Sequence, residues 1–297
     1  MSPTLADRLF VALQSVIPQH WFSARIYRLA RLTWPPLKDL MIRAFIRHYR
    51  VDLSEALEPD PRAYTHFNAF FTRALKADAR PLDPDPQAIL CPVDGVISQI
   101  GTIEEGCLLQ AKGRTYRVEE LLALAPGEPH PFLGGRFVTL YLSPRDYHRI
   151  HMPLAGRLEQ MVYAPGRLFS VNRATAALVP NLFARNERLI CRFVTEAGPM
   201  AVILVGALIV GGLETVWAGE ITPPHRGPEP ERWDYPSEAQ SIQLARGQEL
   251  GRFHLGSTVI LLLPAQSADL DSGWLAGSQV RVGQRLGLWR PAGAISR

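Results

Sequence analysis

Cysteine is scarce: Cys91, Cys107 and Cys191 are odd in number and far apart in a chain of 297 residues. They supply neither a disulfide framework nor a metal-knuckle spacing, so a reducing compartment is expected. Long apolar runs are missing as well. The longest, Met200 to Leu213, contains three glycines and falls short of the roughly 20 residues that span a bilayer. Its valine and isoleucine content suits a buried strand or two joined strands. The chain does not open on a basic region followed by an apolar core and a small-residue cleavage site, so no secretory signal is expected. A long helical bundle is disfavoured by 25 prolines and 23 glycines, which call for many short elements and turns. Charge of one sign is not in large excess either. The net charge is +4, and nucleic acid is not among the expected partners.

That small charge is unevenly placed. Residues 1–50 hold eight Lys and Arg against Asp7 and Asp39, a net +6, and the remainder sums to −2. The basic segment reads as helices broken by Pro18 and Pro35-Pro36. Leu5, Leu9, Leu13 and Ile17 recur at helical spacing, as do Phe22, Ile26 and Leu29, then Leu37, Met41 and Phe45. Apolar faces with Trp21, Phe22 and Trp34, edged by arginines, suit helices that lie in a membrane interface. An amphipathic layer packed on the rest of the protein has the same pattern, and different helices can do different things.

From about residue 60 the texture changes, dividing the chain into a helical, membrane-associating segment 1–60 and a β-rich catalytic domain 61–297. A short helix is expected around Ala63 to Leu75, then a proline-rich linker from Arg80 to Pro86. Apolar runs of strand length follow at Gly95–Gly101, Arg136–Leu142, Gly156–Ala164, Leu189–Thr195 and Met200–Val210. Pro-Val-Asp-Gly-Val-Ile at 92–97 is echoed by Pro-Leu-Ala-Gly-Arg-Leu at 153–158, a hint of a pseudo-repeated sandwich. Thr222 to Pro236, with five prolines, Arg226, Arg232, Trp233 and Tyr235, is expected to be a long surface loop.

Three segments carry reactive side chains: Cys91 to Ser98 with Asp94, Leu142 to Pro153 with His148 and His151, and Gly251 to Ile260 with Gly256 and Ser257. Asp94, His151 and Ser257 make up a minimal set for activating a nucleophile: imidazole takes the hydroxyl proton and carboxylate supports the imidazole. Such residues occur in almost any enzyme-sized chain, so the set alone does not decide. His148 and His151 without a third ligand are an incomplete zinc site, and no metal is expected. Ser257 lacks the Gly-x-Ser-x-Gly setting of a hydrolase elbow and runs instead into the strand Thr258 to Leu263. Gly256 has no Cβ, so its carbonyl can be approached closely and its own peptide bond is a conceivable substrate. Gly-Ser-Thr is equally a common turn into a strand.

Taken together, the segments resemble the phosphatidylserine decarboxylase family in its bacterial and mitochondrial form, whose self-cleavage site is Leu-Gly-Ser-Thr. The likeness covers Arg246 to Phe253 ahead of that site, Phe137 to Pro153, Pro92-Val-Asp-Gly95 and Phe67-Asn-Ala-Phe-Phe-Thr-Arg73, in the family's order. It implies that Asp94 and His151 activate Ser257 to cut the Gly256–Ser257 bond, giving a large chain 1–256 and a small chain 257–297. Ser257 would become a pyruvoyl cofactor that forms a Schiff base with phosphatidylserine and accepts the electrons released with CO2, yielding phosphatidylethanolamine. His148 is the implied acid–base group of turnover. The resemblance further implies an α+β protein with a β-rich sandwich core of lipoyl or permease-domain character behind N-terminal amphipathic helices. It also implies a membrane surface as partner, a homodimer, and a peripheral location on the cytoplasmic face of the cell membrane in a bacterium. A serine hydrolase with the same triad, a membrane-associated binding protein and a pyruvoyl decarboxylase of another amine are the alternatives. No role follows for His254.

Overall fold

The structure, a computed structural model, describes residues 4–111, 113–208, 212–222, 227–235, 241–254 and 257–290, with Ser257 described by its backbone only. It is α+β. A helical layer comes first: α1 (Leu5–Val16), α2 (Gln19–Ala30) and α3 (Pro35–Tyr49), then the short α4 (Phe67–Phe71). Thr4 and Asp7 cap α1 reciprocally, each side chain accepting from the other's backbone N–H. Pro35 and Pro36 open α3, where a missing N–H costs nothing. The helix expected over Ala63–Leu75 shrinks to α4, which starts just after His66, whose Nδ1 caps it by accepting from Ala69 N at 3.0 Å.

The three helices turn their residues in different directions. α3 buries Ile42 and packs with Phe45 onto Tyr64, Phe67, Phe70 and Phe71. α1 and α2 add only small apolar contacts, Val11 of α1 and Ile26 and Ala30 of α2, and meet the protein largely through polar groups. Gln14 Oε1 accepts from Ser170 N at 2.6 Å and Gln19 Oε1 from Leu168 N at 2.8 Å, while Leu5, Leu9, Leu13, Val16 and Trp21 stay exposed.

The core is built on a nine-stranded antiparallel sheet. Its path runs Glu231–Asp234, Gly156–Ala164, Arg188–Thr195, Gly198–Val205, Ser257–Leu263, Arg136–Leu142, Gly95–Thr102 and Gln279–Val280, with Gln243–Leu244 also on Gly156–Ala164. Alternation along the central strands divides their side chains between two apolar clusters, one holding Val259 and Leu261 and the other Ile260 and Leu262. Four of the five expected strands stand where their patterns placed them; of Met200–Val210 the strand Gly198–Val205 takes in the first six residues, and residues 209 and 210 lie outside the described residues. The expected loop Thr222–Pro236 is only partly a loop. Glu231–Asp234 adds an edge strand to Gln160–Tyr163, while residues 223–226, with Arg226, and Pro236 lie outside the described residues. Among the described residues, no helix is long and apolar enough to cross a membrane.

Candidate active site

Strand register brings the three reactive segments to one end of the sheet. Ser257 pairs with Leu142, and Tyr141 pairs with Val96, so residue 257, the Ser143–His148 turn and Asp94-Gly95 end three adjacent strands. Gly95 permits the packing there: a Cβ on it would lie 2.3 Å from the Tyr141 carbonyl oxygen. His151 joins from a second sheet, paired with Glu249, and its N–H donates to the Pro92 carbonyl at 2.8 Å. The Gly256 side of the expected cleavage bond and the Ser257 hydroxyl lie outside the described residues.

Asp94 is buried and gripped by Arg80, whose Nε lies 3.0 Å from both oxygens and whose Nη2 lies 2.5 Å from Oδ2. The Val282 N–H donates to Oδ1 at 2.9 Å, and Arg80 is itself shared with Glu55 at 2.9 Å. Asp94 therefore makes no hydrogen bond to His151. The Nδ1 position of His151 faces the Gly247 carbonyl at 2.8 Å instead. A carbonyl only accepts, so Nδ1 carries the hydrogen and Nε2 presents the lone pair. Tyr147 Oη stands 3.1 Å from that Nε2. Burial lowers the proton affinity of His151, while the Gly247 carbonyl and the charges of Glu249 and Asp94 pull the other way. The ring is thus a neutral base, oriented by a main-chain carbonyl within the field of Asp94.

His148 is fully buried, with its ring 4.0 Å from that of Phe71. Nδ1 donates to the Asp146 carbonyl at 2.8 Å, and Nε2 has no hydrogen-bond partner among the described residues. Desolvation, with the nearby Arg73 charge as a lesser cause, lowers its pKa to about 3. Asp146 closes the turn by accepting from Ser143 N at 2.7 Å, and burial raises its pKa against that bond. Arg73 is buried too; its Nη2 reaches the Arg145 carbonyl at 3.2 Å, and its Nε has no partner among the described residues.

Tyr147 and Asp146 sit inside a segment singled out by sequence, but their roles depend on the turn geometry. Arg80 was hidden in a proline-rich stretch, and no spacing rule connects it to Asp94. The two histidines do not converge as metal ligands, since three of their four nitrogens have other partners. Glu214, Glu220 and His254 do place ligand-type atoms within 4.8 Å of one another. Arg252 and Arg31 already pair with those two carboxylates, which leaves little for a cation to gain.

The arrangement suits activation of a nucleophile at position 257, with acid–base groups close by. The family model described as phosphatidylserine decarboxylase matches residues 67–288, and a model named PSD matches residues 9–50. The phosphatidylserine decarboxylase proenzyme of Azotobacter vinelandii is 55% identical over 95% of this chain and 99% of its own length. That of Ectopseudomonas mendocina is 56% identical over 95% and 99%. That of Pseudomonas aeruginosa strain UCBPP-PA14 is 55% identical over 96% and 99%. With likeness over nearly its whole length, this chain belongs to the phosphatidylserine decarboxylase family.

Proposed function

We propose that the chain cuts its own Gly256–Ser257 bond and that residue 257, as a pyruvoyl group, decarboxylates phosphatidylserine to phosphatidylethanolamine and CO2. The observation that carries this reading is the meeting of Asp94, the Ser143–His148 turn, His151 and position 257 at one sheet end. His151 Nε2 is the base that takes the Ser257 hydroxyl proton. The oxygen attacks the Gly256 carbonyl carbon, and the peptide nitrogen leaves with a proton, which converts the amide to an ester. Loss of the Ser257 α-proton then expels the Gly256 carboxylate and leaves dehydroalanine. Water hydrolyses its imine tautomer to pyruvoyl and ammonia. Serine is required because its β-oxygen serves first as nucleophile and then as leaving group.

A pyruvoyl group at 257 supplies a ketone for the substrate amine and an electron sink for the bond broken to CO2. His148 suits the proton traffic beside it. Its Nε2, without a partner among the described residues, is the ring atom free to hold and move a proton, and the negative charges of a bound substrate would raise its proton affinity from the low value that burial imposes. The imidazolium so formed is the acid that protonates the α-carbon after CO2 leaves.

Membrane access is supported by α1 and α2, which bind the core through Gln14 and Gln19 and leave their leucines and Trp21 outward beside Arg8, Arg25 and Arg28. We infer peripheral docking at the cytoplasmic face of the cell membrane through the 1–60 segment. The antiparallel layers suit a sandwich of lipoyl or permease-domain character. The homodimer that the resemblance implies is tested by mass in solution.

A denaturing gel tests the central claim. Scaled by length, a 33.1 kDa chain yields fragments of about 28.5 and about 4.6 kDa, and the smaller should react with a carbonyl probe. Active protein that stays a single band refutes the proposal.

A further inference from the structure

A chain of polar contacts joins the segment leading into residue 257 to the N-terminal helices, and the chemistry above leaves it unused. His254, three residues before Ser257, is 3% exposed. Its Nδ1 lies 2.8 Å from Asn68 Nδ2, a nitrogen that only donates, so Nδ1 accepts and Nε2 carries the hydrogen of the neutral ring. Nε2 lies 2.9 Å from Glu214 Oε2 and 3.6 Å from Glu220 Oε1. The backbone is fixed at the same place: His254 N donates to the Gly212 carbonyl at 2.9 Å and Phe253 N to the His148 carbonyl at 3.0 Å.

Glu220 carries the connection outward. It accepts the Tyr27 hydroxyl at 2.5 Å and pairs with Arg31, whose guanidinium stacks 3.8 Å above the Tyr27 ring. Tyr27 lies in the last turn of α2 and Arg31 just beyond it. Glu214 is steadied from the other side by Arg252 at 3.5 Å. The last turn of α2, Glu220 and His254, with Glu214 beside it, are therefore one contact path.

Self-cleavage is sensitive to such a path. Attack requires the hydroxyl oxygen to sit about 3–3.5 Å from the carbonyl carbon, and a misplacement of about 1 Å can cost two orders of magnitude in rate. His254 is two residues from Gly256, and cutting its contacts releases the chain beside the reacting bond. We propose that His254 is a positioning residue for cleavage of the Gly256–Ser257 bond. Glu220 couples it to α2, so that α2 must be docked on the core for fast maturation. This rests on the self-cleavage reading, in which His254 itself touches no reacting atom.

The test is the first-order cleavage rate of freshly made precursor, read as the two fragments on a gel. His254→Ala should slow cleavage at least tenfold, and His254→Gln, which keeps a donor and an acceptor, should recover part of the loss. Glu220→Gln and Arg31→Gln should each slow it several-fold. Glu220→Gln combined with His254→Ala should be no slower than His254→Ala alone, because both break one path. Melting temperatures in an uncleavable Ser257→Ala background separate positioning from folding, and a positioning role leaves them nearly unchanged. Wild-type cleavage rates in His254→Ala, or additive effects in the double variant, overturn the proposal. If His254→Ala does not fold, wild-type rates in both Glu220→Gln and Arg31→Gln overturn it. Absence of fragments from the wild type would refute self-cleavage itself, a distinguishable result.

Discussion

Between Ser143 and His151, one buried and one half-buried imidazole of lowered proton affinity, His148 and His151, stand ready for separate steps. His148→Ala should mature normally yet lose about two to four orders of magnitude in CO2 release, the usual worth of a positioned acid–base group; assays of cleavage and turnover on the same preparation check this. Normal turnover would remove His148 from the site. Ser257→Ala should remain one inactive chain, and His151→Ala or Asp94→Asn should leave most of the precursor uncut. Acid should weaken the fold as well. His148 titrates near 3 in the native state, against about 6.5 when unfolded. Between those values the unfolded chain binds the extra proton, so stability falls as pH drops, by up to about 1.4 kcal/mol per pH unit from this group. Melts of Ser257→Ala with and without His148→Gln, taken from pH 6.5 to 4, should show a flatter profile for the double variant. Asp94, His148, His151 and Ser257 were legible in the sequence because each lies in a short contiguous motif. Arg80 and His254 were not, because their partners stand 14 and 186 residues away and only the folded chain brings them together.

Helical periodicity in residues 1–50 gave the existence of α1, α2 and α3, and proline gave their breaks. It was silent on direction, since an apolar stripe looks the same whether it faces a core or a bilayer. Ile42 settles inward against the phenylalanines of α4, whereas Leu9 and Leu13 are 62% and 57% exposed. The two helices should therefore respond oppositely to substitution. Ile42→Ala should destabilise the fold by about 2–4 kcal/mol through the cavity it leaves. Leu9→Glu with Leu13→Glu should barely move the melting temperature yet abolish flotation with anionic liposomes. Retained flotation would argue against α1 as the docking element. The strands were more readable than the loops, because alternation states which residues go inward. The exception was Glu231–Asp234, whose charged, half-exposed residues carry no apolar alternation and whose pairing with Gln160–Tyr163 only the fold supplies.

At the scale of the molecule, the proposed cut frees 41 residues that contribute an inner strand, Ser257–Leu263, hydrogen-bonded on both sides. Gel filtration of matured protein should therefore give one peak that contains both fragments, and elution of the small chain alone would contradict this placement. That inner position also changes the order of the folding reaction. The precursor folds as a single chain, with the strand delivered at a fixed local concentration by its own connection. Once cut, the same strand can return only by a collision between two molecules, and a chain of 41 residues is too short to hold a core of its own while it waits. Matured protein that has been unfolded should thus regain its structure with a yield that falls on dilution, while Ser257→Ala precursor should not. Maturation, on this account, is a ratchet: the enzyme is assembled once, and its lifetime rests on the slowness of unfolding rather than on the chance to fold again.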